Sequence, residues 1–128
     1  MVNSTNKILL VEDEDAILFA FKKILSIPSV SVDTAQSLDE ARAHLESSEY
    51  DAVIADLRLS DATTIEGFDV IRATRRLQTR CTIIILTAYG KSDTREKVFE
   101  LGANYYLEKP VSPQVIKEML QNLNIMPQ

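Results

Sequence analysis

Short, continuously apolar runs alternate along this chain with stretches in which apolar residues recur every three or four positions. ILLV, AVIA and TIIIL are the runs, as expected of strands covered on both faces. They predict strands at Lys7–Glu12, Ala52–Asp56 and Thr82–Thr87. Val30–Thr34 instead alternates Val, Ser, Val, Asp, Thr, the pattern of an edge strand with one wet face, and Tyr105–Glu108 supplies a fifth short strand. Helical spacing predicts helices over Asp15–Leu25, Leu38–Ser47, Phe68–Leu77, Asp93–Leu101 and Pro113–Asn122. Their ends carry local signals. Ser37 with Glu40 three residues on makes a capping box. Ser92 is a good N-cap. Ser112 precedes Pro113, which lacks an N–H where none is needed. Gly102 stands where a left-handed C-cap residue is expected.

Five strands alternating with five helices predict an α/β fold with a doubly wound parallel sheet. Right-handed crossovers leave few topologies. The flavodoxin-like order 2-1-3-4-5 puts the alternating second strand at an edge and the apolar runs inside. In such sheets ligands bind beyond the carboxyl ends of the strands, at the switch point between strands one and three. No repeat or linker divides the chain, so residues 1–128 are expected to form a single domain.

Composition narrows the function. Of 128 residues, 45% are hydrophobic and 26% charged, a globular balance, and the net charge is −5. A nucleic-acid groove needs the opposite sign, so direct DNA or RNA binding by this chain is not expected. Cys81 is the one cysteine, which rules out an internal disulfide and fits a reducing cytoplasm. No apolar run reaches the ~20 residues of a membrane helix, and MVNSTNK is not a signal-peptide start.

The candidate chemistry lies at the strand ends. Glu12 and Asp13 lie at the end of the first strand, Asp56 ends the third, Thr87 ends the fourth, and Lys109 follows the fifth. Glu12 and Asp13 alone could merely favour the start of the first helix. With Asp56 across the switch point, three acids converge and should not all stay ionised without a cation. Hard oxygen ligands select Mg²⁺, or Mn²⁺, over soft metals. A carboxylate such as Asp56 can attack a phosphoryl group to form an acyl phosphate. Lys109 offers a point charge, and Pro110 after it invites a cis peptide bond. Thr87 could hydrogen-bond a phosphoryl oxygen, with small Ala88 leaving room for it. Tyr106 is either a packed aromatic or one that changes exposure when Thr87 moves. His44 has no second His or Cys nearby, and RATRRLQTR suits a helix C-terminus better than a phosphate backbone.

ILLVEDE, DAVIADLRLSD, ILTAYG and LGANYYLEKP, in this order and spacing, resemble the receiver domains of bacterial two-component response regulators over essentially the whole chain. The resemblance implies that Glu12 and Asp13 are the acidic pair and Asp56 the phosphorylated aspartate. It makes Thr87 and Tyr106 the switch residues and Lys109 the site lysine. It implies Mg²⁺ bound through Asp13, Asp56 and the backbone carbonyl of Arg58. The implied phosphodonor is a phosphohistidine on a sensor histidine kinase or a histidine phosphotransfer protein. The responding surface would be the fourth helix, fifth strand and fifth helix. A phosphorylation-dependent homodimer is an assembly the resemblance allows, and the output domain or partner is not legible. Arg58 and Tyr89 would flank the phosphoryl group and shield it from water.

The chain departs from that pattern beside Asp56. Ser60 stands where the family has proline, Gly67 comes about three residues late, and Val111 replaces the usual Phe. Other readings fare worse. A flavin phosphate needs a glycine- and hydroxyl-rich loop after the first strand, where this chain has acids. An aspartate phosphatase needs a second acid two residues after its nucleophile, where Arg58 stands. A receiver-shaped module that never carries phosphate is the remaining alternative.

Overall fold

A computed structural model describes residues 6–57, 65–88 and 92–128, the side chains of Ile65 and Ser92 excepted. The elements run β1 (Asn6–Val11), α1 (Asp15–Leu25), β2 (Val30–Ala35), α2 (Leu38–Ser47), β3 (Ala52–Asp56), α3 (Ile65–Leu77), β4 (Thr82–Thr87), α4 (Ser92–Leu101), β5 (Tyr105–Glu108) and α5 (Pro113–Asn122). All strand pairs are parallel, and the sheet order is β2-β1-β3-β4-β5. The expected flavodoxin-like fold is therefore the observed one.

The apolar runs alternate between two cores because successive strand residues point to opposite faces. Ile8, Leu10, Ile54, Ile84 and Leu86 pack under α1 and α5, with Phe21, Leu25, Ile116 and Leu120. Leu9, Val11, Val53, Ile83 and Ile85 pack on the other face against α2, α3 and α4, with Leu45, Ile71 and Val98. β3 is buried throughout, whereas β2 and β5 at the edges are half-exposed. Val111, in place of the usual Phe, packs partly buried against the α1–α5 core. No helix among the described residues is long and apolar enough to cross a membrane.

Five element ends differ from expectation, two of them slightly: β1 starts one residue early at Asn6, and β2 runs one residue further, to Ala35. β1 ends at Val11, one residue early, so Glu12 belongs to the loop. α4 begins at Ser92 itself; the expected cap falls on a side chain outside the described ones. α3 begins at Ile65, three residues earlier than the periodicity suggests. Gly67, which the sequence places just before the expected helix, lies in the first turn of α3 against the Leu57 backbone. The caps at Ser37 and Ser112 form as expected, accepting from the Glu40 and Val115 N–H groups at 3.2 Å each. The box is shifted, however: Glu40 accepts from the N–H of Gln36, at 3.0 Å, rather than from that of Ser37. Gly102 has φ +116°, as a C-cap glycine can.

Polar side chains fasten the end of the sheet away from the acids. Buried Gln78 accepts from the Tyr50 N–H at 2.7 Å and donates to the carbonyls of Leu45 and Ser48. Arg75 does close α3, donating to Gln78 and Thr79 carbonyls, but it also reaches the Gly102 carbonyl and Asn104 Oδ1. His44 is half-buried with Nε2 3.0 Å from the Thr34 carbonyl oxygen. Cys81 is 3% exposed, and burial pushes its thiol up to about 12. Since the thiolate is the reactive form, iodoacetamide at pH 8 should alkylate native protein roughly 100-fold more slowly than urea-unfolded protein. Equal rates by mass spectrometry would contradict the burial of Cys81.

Candidate functional site

Parallel strands all end at one edge, so residues just past their carboxyl ends must gather there. Val11 pairs with Ala55, and Asp56 with Leu86, which sets Glu12 level with Asp56 and Thr87 one residue beyond them. Backbone bonds carry the ladder further: Leu57 N–H to the Leu86 carbonyl at 2.8 Å, and Lys109 N–H to the Thr87 carbonyl at 2.7 Å. The Lys109–Pro110 peptide is cis, as the sequence suggested.

Lys109 Nζ donates to Asp56 Oδ2 at 2.8 Å and to Glu12 Oε1 at 3.2 Å. The other Glu12 oxygen accepts from the Glu14 N–H at 3.1 Å. Asp56 and Glu12 are 8% and 5% exposed, while Asp13 faces solvent. One carboxylate oxygen from each of Glu12, Asp13 and Asp56 lies within 4.8 Å of the others.

Burial, then the charge of Asp56, raises Glu12 to about 7, against the opposing Glu14 N–H and Lys109. Burial alone would lower Lys109. Its hydrogen bond to Asp56 and the charges of Asp56 and Glu12 outweigh that, and its pKa is raised. The cluster is thus short of positive charge even with the lysine in place. A hard divalent cation with oxygen preference fits this donor set.

Thr87 is 1% exposed at the end of β4. Tyr106 lies on β5 with its ring 6.4 Å from that of Phe99, and Arg95 covers Phe99 at 5.5 Å. The Tyr106 hydroxyl is buried without a hydrogen bond among the described residues. Burial raises its pKa, with Glu108 adding to the effect. Arg95 opposes it, as does Thr87, which is near enough to act on the phenol. Arg58 and Tyr89 lie outside the described residues.

Gln36 was not singled out from sequence. Its amide nitrogen lies 2.5 Å from Asp15 Oδ1 and 3.4 Å from the Asp13 carbonyl, tying the end of β2 to the acidic loop. The available signal was weak: one polar residue after an edge strand.

Residues 8–121 match the model of the response regulator receiver domain. The chain belongs to the response regulator receiver domain family. This receiver is 37% identical over 111 residues to the alginate biosynthesis transcriptional regulatory protein AlgB of Pseudomonas aeruginosa, covering 87% of this chain and 24% of that protein. It is 34% identical to the transcriptional regulatory protein ResD of Bacillus subtilis, covering 86% of this chain and 44% of that one. The receiver therefore spans about a quarter of the length of the alginate regulator and under half of ResD. In structure it is similar to a CheY-like response regulator receiver domain protein from Methanospirillum hungatei. The TM-score is 0.85, with 28% identity over 94% of each chain.

Proposed function

We propose that this receiver takes a phosphoryl group from a phosphohistidine onto Asp56 and responds on its α4–β5–α5 surface. The supporting observation is the Lys109 ammonium bridging Asp56 and Glu12 beside Asp13. In the transfer, an Asp56 oxygen attacks phosphorus as the P–N bond breaks, and the imidazole nitrogen keeps the electron pair. Glu12, Asp13 and Asp56 would hold Mg²⁺, or Mn²⁺, together with the Arg58 carbonyl. The bound ion would neutralise charge on the phosphoryl oxygens. Lys109 shares that task and fixes the Asp56 carboxylate for in-line attack. Hydrolysis of the acyl phosphate resets the site, and bulk at Arg58 and Tyr89 would slow that loss.

Thr87 and Tyr106 would couple Asp56 to the output surface. The Tyr106 hydroxyl is buried and Thr87 is near enough to act on it, so the two are placed to move together. Drawing Thr87 toward a phosphoryl oxygen would change the space beside the phenol and shift the populations of Tyr106 and Phe99. The donor would be a cytoplasmic sensor histidine kinase or phosphotransfer protein. Residues 1–128 would act as one domain, and by analogy with AlgB and ResD the output would be transcriptional, through a further domain or partner. Phosphorylation-dependent homodimerisation through α4–β5–α5 is one such route.

The test is intact mass after incubation with acetyl phosphate. A gain of about 80 Da (one phosphoryl group) is expected with Mg²⁺, little without it, and none in Asp56→Ala. Undiminished labelling of that variant would place the nucleophile elsewhere. Absence of labelling by acetyl phosphate and by a phosphorylated kinase alike would leave a phosphate-independent docking module.

A further inference from the structure

The chain carries net negative charge, yet one face gathers positive charge. Where α2 packs on α3, Arg42, Arg72 and Arg76 line a cleft of about 310 Å³ floored by Ala73. Arg72 and Arg76 stand one turn apart on α3, where residues i and i+4 are neighbours, and Arg42 faces them from α2. Asp69 is the one acid in the lining, and it is engaged by Arg72 at 2.8 Å. Asp39 and Glu46 flank Arg42 on α2 but form no ion pair with it. Arg42 and Arg76 have no hydrogen-bond or ion-pair partner among the described residues. Within the lining itself three positive charges stand against one negative, and two guanidinium forks are unengaged among the described residues. None of these residues belongs to the Asp56 site.

We propose that this cleft binds a small anion with adjacent phosphate groups, of the pyrophosphate or nucleoside-diphosphate class. Guanidinium forks match phosphate oxygens bidentately, which lysines do not. Three forks offer more donors than one monoester can use, and a diphosphate supplies the extra acceptors. The volume lies at the lower end of the range of about 300–1,000 Å³ for small-ligand sites. Among the described residues no aromatic side chain lines the cleft, so the diphosphate must carry the binding.

The experiment is calorimetric titration of the full chain with inorganic pyrophosphate and, separately, ADP, in EDTA. Without a metal the acids at Asp56 repel anions, so the two sites do not compete. Saturable one-to-one binding is expected, similar for both ligands and weakening with salt. Arg42→Ala and Arg76→Ala should each weaken it at least about tenfold. Arg76→Lys, which keeps the charge but not the fork, should fall between them and the parent. Asp69→Asn, which releases Arg72, should tighten it. Lys23→Ala on α1 should leave it unchanged. The replaced arginines are exposed, so the variants should fold, and their melting curves check this. No saturable binding of either ligand would overturn the proposal. So would binding that Arg42→Ala and Arg76→Ala leave intact, or that Lys23→Ala weakens equally.

Discussion

Lys109→Met is expected to cost the metal-free receiver about 3–5 kcal/mol at pH 8, the usual result of removing one partner from a buried ion pair. Methionine keeps much of the stem's volume, so the loss is one of charge. The Lys109 side chain is 20% exposed, and those of Glu12 and Asp56 are 7% and 9% exposed. Two carboxylates would then face each other in a shielded site, with the Glu14 N–H donating to Glu12. Urea denaturation in EDTA gives the number. A change under 1 kcal/mol would mean that solvent, not Lys109, compensates the acids.

The cost should depend on pH in a definite direction. Glu12 has a folded pKa raised to about 7, above its unfolded value. It binds its proton more tightly in the folded state, and the associated stability is present below the unfolded pKa and lost as pH rises through about 7. Lys109 is also raised, so its contribution is intact at pH 8 and lost only as pH rises beyond the usual lysine range. Removing Lys109 takes away two influences that lower Glu12, so the penalty of ionising Glu12 grows. Lys109→Met should therefore cost clearly less at pH 5 than at pH 8. Adding Glu12→Gln should recover much of the loss at pH 8, because a neutral amide no longer opposes Asp56. A double-mutant cycle measures that coupling, and simple additivity would deny it.

The convergence of these groups was legible because it follows from topology. ILLV, AVIA and TIIIL are too apolar to lie anywhere but inside, and four right-handed crossovers bring every strand's carboxyl end to the same edge. Glu12, Asp56, Thr87 and Lys109 needed no further information to meet. The polar bonds of Gln36, Gln78 and Arg75 could not be read this way. Each joins loops far apart in sequence, and which amide faces which carbonyl depends on loop paths that hydrophobic periodicity does not specify. The start of α3 failed for another reason. Apolar periodicity put the start at Phe68, whereas the helix extends back through Gly67, whose backbone touches Leu57.

That contact makes Gly67→Ala a sharp test. Propensity alone predicts a gain of about 1 kcal/mol from alanine within a helix. Packing predicts the reverse. A Cβ at position 67 would lie 2.0 Å from the Leu57 carbonyl oxygen and 2.7 Å from its carbonyl carbon and Cα. Leu57 cannot easily yield, since its side chain is fully buried and its N–H is bonded to the Leu86 carbonyl. Backbone overlap of this size should exceed the usual overpacking cost, giving a net loss of about 3 kcal/mol or more. Because Leu57 adjoins Asp56, any shift that relieves the clash also disturbs the proposed nucleophile. Labelling by acetyl phosphate should slow in the folded fraction as well. Gly102→Ala is the informative contrast. There φ is +116° and the Cβ would meet the Arg75 side chain at 2.6 Å, so backbone strain should cost about 1–3 kcal/mol while labelling stays near normal. Gly67→Ala as stable and as readily labelled as the parent would mean that α3 does not close on the end of β3.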